Sequence, residues 1–144
     1  PNRYVSCLIC LTDMNILFET DKLRLETEQE YVYLVLKETG EFLMEDDLYG
    51  NPTCGLIDVN NQWAIVAGEH LTIWTKTKIK KIDIKELQWI HSVRMANSSC
   101  IEVLVDPWSE KPAIWTLDPL TFKLSKLRDF DDYKNLEYSE IVIW

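Results

Sequence analysis

The sequence predicts an all-β fold, an antiparallel meander forming a sandwich or a strongly curved sheet, with an α+β arrangement of minor helix as the alternative. Three observations carry this expectation. Apolar residues recur mainly with period two, β-branched and aromatic residues cluster in short runs, and turn chemistry separates those runs at short intervals. With 144 residues, 47% of them hydrophobic, one domain over residues 1–144 is expected. A chain of this size buries about 68–70% of its unfolded surface, enough for a core without metal or disulfide staples.

The elements follow in order. Leu23, Leu25 and Thr27 alternate with Lys22, Arg24 and Glu26, the pattern of a half-buried strand. Tyr31-Val-Tyr-Leu-Val-Leu36 is a strand buried on both faces, and Glu38-Thr-Gly-Glu41 turns it into Phe42-Leu-Met44. From Leu56 to Thr75 three consecutive antiparallel strands are expected. Asn60-Asn61 suits a two-residue turn at positive φ, and Gly68-Glu69 suits a II′ turn. The isoleucines of Lys78-Ile-Lys80 and Ile82-Asp-Ile84 sit on opposite parities, which predicts a bulge near Lys80-Lys81. Segment 85–97 fits either a helix face (Leu87, Ile90, Val93, Ala96) or a strand (Trp89, His91, Val93, Met95). Ile101–Val105 and Ala113–Leu117 are strands closed by Asp106-Pro107 and Asp118-Pro119. The stretch Asp129–Leu136 suits a helical turn, and Ile141–Trp144 suits a final paired strand. Ile-Trp-Thr occurs at 73–75 and again at 114–116. That separation of 41 residues lies within the blade length of some propeller repeats, although the flanks align poorly and the length excludes a full propeller.

Charge and cysteine content bound the function. The net charge is −9, and residues 1–50 hold 4 basic and 11 acidic side chains. That balance argues against nucleic acid as the main ligand and leaves a basic protein partner open. No apolar run reaches the roughly 20 residues of a membrane span. Cys7, Cys10 and Cys100 lie in apolar, strand-like runs, so the four cysteines read as reduced core residues. The apolar stretch Val5–Leu11 ends at Asp13 without a cleavage pattern, and Pro1 is what removal of an initiator Met leaves. A cytoplasmic chain is expected.

Chemistry-bearing patterns are sparse. Cys7-Leu-Ile-Cys10 lacks two further ligands for zinc, and it lacks the helix of a redox pair. Cys54 or Cys100 could meet His70 or His91 in space, but no flanking motif marks a nucleophile. Lys76-Thr-Lys-Ile-Lys-Lys81 reads as the solvated face of a strand. Phosphate-cradling and nucleophile-elbow motifs are absent. The expectation is therefore no catalytic residues, no cofactor and no metal.

The Trp-bearing segments Gly55-Leu-Ile-Asp-Val-Asn-Asn-Gln-Trp63, Leu71-Thr-Ile-Trp-Thr75 and Ala113-Ile-Trp-Thr-Leu-Asp-Pro119 lie in a small acidic chain. Together these features resemble the immunity proteins of bacterial toxin–immunity systems, including those of contact-dependent growth inhibition. The resemblance implies a monomer, or a 1:1 complex, that occludes the active site of a cognate basic toxin domain, most naturally a nuclease. Neither nucleic acid nor membrane is an expected partner. An acidic inhibitor of such a toxin gains electrostatic steering. The candidate contacts are Glu45, Asp46 and Asp47 in an exposed turn before Gly50, Asp129, Asp131 and Asp132 as a second acidic patch, and Trp108 between Pro107 and Pro112 as an aromatic anchor. A β-rich adaptor or chaperone-like module and an enzyme with an unmarked site are the other two classes.

Overall fold

Alternating side chains and frequent turns build twelve strands in a computed structural model, which describes residues 14–144. The strands are β1 (Met14–Glu19), β2 (Leu23–Glu28), β3 (Tyr31–Leu36), β4 (Glu41–Asp47), β5 (Cys54–Ile57) and β6 (Trp63–Ala67). They continue as β7 (Leu71–Thr75), β8 (Ile79–Ile82), β9 (Ile90–Asn97), β10 (Cys100–Val105), β11 (Ala113–Leu117) and β12 (Leu124–Asp129). A 3₁₀ turn at Lys85–Leu87 is the sole helical element among the described residues. Cys7, Cys10 and the apolar stretch 5–11 lie outside the described residues.

The antiparallel meander is divided into three four-stranded sheets, β1-β2-β3-β4, β5-β6-β7-β8 and β9-β10-β11-β12. Every strand pairs with its sequence neighbour inside its sheet. The second sheet is apolar on both faces, and the first and third pack against it face to face. Val32, Leu34, Leu25 and Met44 of the first sheet meet Ala64, Val66 and Trp74 of the second. The opposite face of the second sheet, with Trp63, Ile65 and Ile73, meets Ile101, Val103 and Leu117 of the third. The leading strands converge, with β1 against β5 and β5 against β9. Gly55 makes the first approach possible, since a Cβ there would stand 2.8 Å from Leu25 Cδ1 and 3.1 Å from the Ile65 carbonyl.

The recurrence of Ile-Trp-Thr has a structural counterpart. Ile73 and Ile114 occupy the third strands of the second and third sheets. Val32, 41 residues before Ile73, occupies the third strand of the first. Each faces the next layer in the stack: Val32 the second sheet, Ile73 the third. Ile114 meets the C-terminal segment, where Phe130, Tyr133, Val142 and Trp144 cover the outer face of the third sheet. No strand forms at Ile141–Trp144. That segment is anchored by side chains, with the Arg94 guanidinium 3.8 Å from the centre of the Trp144 ring.

Local details settle one open alternative, bear out one turn and correct three others. Segment 85–97 is a single 3₁₀ turn followed by strand, because Ile90 and Val93 find the core only as strand residues. The β7–β8 ladder runs without a bulge at Lys80-Lys81, and the opposite parities simply leave Ile79 exposed while Ile82 is buried. The β5–β6 turn spans residues 58–62, with Asn61 alone at positive φ. Asn61 bonds across to the first sheet, accepting from the Thr20 hydroxyl and donating to Asp21. Gly68 keeps a negative-side φ in a three-residue turn closed by its N–H on the His70 carbonyl at 2.9 Å, so it is not a II′ turn. Around Asp129–Leu136 the expected helical turn takes the form of two i→i+3 backbone bonds, Lys134 to Asp131 and Leu136 to Tyr133.

Candidate functional site

Strict antiparallel alternation brings the ends of β2, β4, β6, β8, β10 and β12 to one end of the stack. The three candidate groups read from sequence, Glu45–Asp47, Trp108 and Asp129–Asp132, all fall at that end. Their roles diverge there.

Glu45, Asp46 and Asp47 belong to β4, not to an exposed turn. The strand persists because Asp46 has partners in the next sheet. His70 Nε2 lies 2.8 Å from Asp46 Oδ2, and the Thr72 hydroxyl donates to the same oxygen at 2.6 Å. His70 itself is buried, with Nδ1 3.5 Å from Glu69 Oε2. Asp46 is thus a tie between the first two sheets, while Glu45 and Asp47 stay exposed. Trp108 docks the C-terminal segment. Its indole N–H donates to the Leu136 carbonyl at 3.0 Å, and its ring lies 5.0 Å from Tyr138 and 5.7 Å from Tyr133. Asp129 pairs with Lys126, whose hydrogen bond holds its carboxyl below the ordinary range. Asp132 lies 3.8 Å from Arg128, and Asp131 is exposed.

A feature that the sequence reading passed over lies at the same end. A cleft of about 680 Å³ opens between the connection leading into β9 and the third sheet. Trp89 forms one wall, Val105, Ala113 and Trp115 line the interior, and Lys85 and Lys111 stand at its margin with Glu86 and Glu110. Trp89 adopts φ 59°, a left-handed conformation that costs a bulky residue about 1–2 kcal/mol. Its backbone is pinned on both sides. The N–H donates to the Glu69 carbonyl at 3.2 Å, and the carbonyl accepts from Asp106 N–H at 2.9 Å. The indole is nevertheless 49% exposed, edge-on to Tyr49 at 6.0 Å. The N–H of Trp115 is buried without an acceptor.

The thiol chemistry does not point to a nucleophile. Burial pushes Cys54 up to about 11 despite its 3.4 Å contact with Thr53, the opposite of an activated thiol. Cys54 and Cys100 are both free of disulfides. Among the described residues, no group of three or more His, Cys, Asp or Glu is placed to hold a metal ion. Likewise, no described helix is long and apolar enough to cross a membrane.

No family model and no curated protein matches the chain. Its likeness is to propeller blades. The β-propeller domain of Myceliophteria thermophila Cps50 (Swd1) superposes with a TM-score of 0.52 at 10% identity, over 80% of this chain and 41% of that one. Kuenenia stuttgartiensis hydrazine synthase superposes with a TM-score of 0.53 at 14% identity, over 75% of this chain and 32% of that one. The chain therefore spans well under half of either neighbour. At these identities the likeness is one of fold alone, and it agrees with three up-and-down sheets whose leading strands converge.

Proposed function

We propose that this chain is a protein-binding module that docks its partner at the Trp89 end of the blade stack. The observation that carries the reading is Trp89, held at positive φ by backbone bonds to two loops with its indole left at the mouth of a cleft. Backbone strain of this kind persists where the surroundings over-determine it, and it clusters at functional sites. Exposed tryptophan beside a concave apolar surface is also the usual anchor of an interface. Replacing Trp89 with Ala removes the anchor but keeps the backbone bonds to Glu69 and Asp106, so the fold is expected to survive. With the purified partner, Trp89→Ala weakens binding by about 2 kcal/mol or more, the range of an interface hot spot, at unchanged melting temperature. Equal affinity of both forms in titration calorimetry overturns the reading.

Neutralisation of a basic toxin domain in the cytoplasm is the narrower form of this proposal. It is supported by the −9 charge and by the exposed carboxylates of Glu45, Asp47 and Asp131 at the same end of the stack. Co-expression with a toxin encoded beside this gene tests it: survival supports inhibition, and continued toxicity with an intact complex leaves only the adaptor form.

A further inference from the structure

We propose that one buried proton, shared between His70 Nδ1 and Glu69 Oε2, holds the turn that sets the Trp89 indole, so that a rise in pH releases the anchor. This names what regulates the site of the protein-binding reading, and it rests on that reading only for its effect on a partner.

The proton site follows from two orphaned atoms. His70 is 1% exposed. Its Nε2 lies 2.8 Å from Asp46 Oδ2, an oxygen that also accepts from Thr72, so Nε2 carries a hydrogen and a neutral ring presents Nδ1 as an acceptor. Nδ1 faces Glu69 Oε2 at 3.5 Å. Both atoms are buried, and neither has a hydrogen-bond partner. Two acceptors cannot satisfy each other, and a buried polar atom left unpaired is costly. One proton between them satisfies both, whether it resides on the imidazole or on the carboxyl. The surrounding charges favour its uptake. From β4 the ring meets Asp46 and from its own turn Glu69, while β7 brings only the neutral Thr72 hydroxyl. Among the described residues, no lysine or arginine pairs with either carboxylate. Lys81, opposite Thr72 on β8, is exposed, and Lys85 and Glu86 line the cleft. Without the proton, two carboxylates flank one neutral ring in a site largely closed to water, and like charges so placed raise proton affinity.

The same turn holds Trp89. Residues 68–70 link β6 to β7, closed by Gly68 N–H on the His70 carbonyl at 2.9 Å. The Glu69 carbonyl accepts from Trp89 N–H at 3.2 Å, and the Gly68 carbonyl accepts from Ile90 N–H at 2.7 Å. Trp89 stands at φ 59°, and such a conformation persists only while its surroundings over-determine it. The remaining restraint is Asp106 N–H on the Trp89 carbonyl. Loss of the proton leaves the Glu69 carboxylate oxygen buried against a lone pair. Its release is a swing toward solvent, where 19% of the side-chain surface already lies. A swing that rotates the turn removes the bond at Trp89 N–H, and the backbone relaxes toward negative φ with the indole displaced from the cleft mouth. Because the pinned form binds the extra proton, it is favoured at low pH and lost as pH rises through the release. His70 and Glu69 are thus positioning residues that act on a partner through Trp89.

The test follows imidazole and indole nitrogen resonances of the intact, ¹⁵N-labelled protein from about pH 5 to about pH 8, the span in which an imidazole ordinarily changes charge. The chain has two histidines and six tryptophans, and His91→Gln and Trp89→Phe assign the signals. At the acid end the proton is expected between His70 Nδ1 and the Glu69 carboxyl, and the Trp89 resonance should move in step with its release. Glu69→Gln is the decisive variant. Its amide donates to a neutral Nδ1, so the turn stays closed without the proton, and the Trp89 resonance should keep its acid-end position throughout. With the purified partner, wild-type affinity should fall about tenfold across the span, a usual size for coupling between sites, while Glu69→Gln keeps the acid-end value. A Trp89 resonance that stays still in the wild type, or moves equally in Glu69→Gln, overturns the inference. If Trp89 follows the proton but Trp89→Ala binds the partner as tightly as wild type, the proton site stands and the protein-binding reading fails. If Trp89→Ala weakens binding while affinity and the Trp89 resonance ignore pH, that reading stands and the proton site falls.

Discussion

Asp46 shows how one carboxylate can be misjudged from its neighbours in sequence. It sits among acids before a Gly-Asn-Pro turn, yet one of its oxygens serves both His70 and Thr72 across a sheet boundary. Asp46→Ala leaves two buried polar groups without their partner, each worth about 1–3 kcal/mol. A loss of about 2–4 kcal/mol in urea unfolding is expected, whereas Glu45→Gln, at an exposed position one residue away, stays within about 0.5 kcal/mol. Asp118 behaves differently. Burial opposes its charge, but the N–H groups of Leu120 and Thr121 bond its carboxylate and hold it below the ordinary 3.8. A carboxyl lowered in the folded state stabilises above its ordinary range, and that contribution disappears as pH falls through the folded value. The stability gap between wild type and Asp118→Ala is therefore expected to be full at pH 6 and to close below pH of about 4. A gap that widens on acidification would contradict this assignment.

Individual strands owe their packing to small local allowances. Gly55 on β5 has no room for a methyl group between Leu25 and the Ile65 carbonyl. Gly55→Ala must displace the fully buried Leu25 side chain, and overpacking of this kind costs about 1–3 kcal/mol. A lower midpoint with unchanged denaturant slope is the expected result. Neutral behaviour would mean that the Leu25 side chain gives way at no cost. The same element-level view explains segment 85–97. A helix would carry Ile90 and Val93 away from the second sheet, whereas the strand lets the Thr53 hydroxyl donate to the Ile90 carbonyl at 2.7 Å and Ile90 N–H reach the Gly68 carbonyl at the same distance. Both partners are remote in sequence, so local periodicity is even-handed there.

At the scale of the molecule, the chain itself covers the outer face of the third sheet. Beyond the third sheet, residues 130–144 lie over Leu104 and Ile114 as an irregular strap instead of a further paired strand. Trp108 holds that strap through Tyr133, Tyr138 and the Leu136 carbonyl. Trp108→Ala is expected to speed amide exchange across residues 130–144 and to raise binding of an apolar dye, while β5–β8 keep their protection. Uniform loss of protection through all three sheets would show that the strap is not a separate unit. Ile141 and Ile143 remain exposed on the strap's outer side while Val142 and Trp144 pack inward. Alternation is therefore legible at the C-terminus, and only the missing backbone partner is not.

The antiparallel class, most strand positions and the repeat of a β-branched–aromatic pair on the third strands are written in the sequence. They depend on side-chain alternation and turn chemistry within a few residues. The division into three stacked sheets, the burial of Asp46, the docking of Trp108 onto the chain's own tail and the Trp89 cleft were decided by tertiary structure. Each depends on contacts between residues far apart in the chain, and no local pattern distinguishes a solvated acid or tryptophan from one that has found a partner in the next layer.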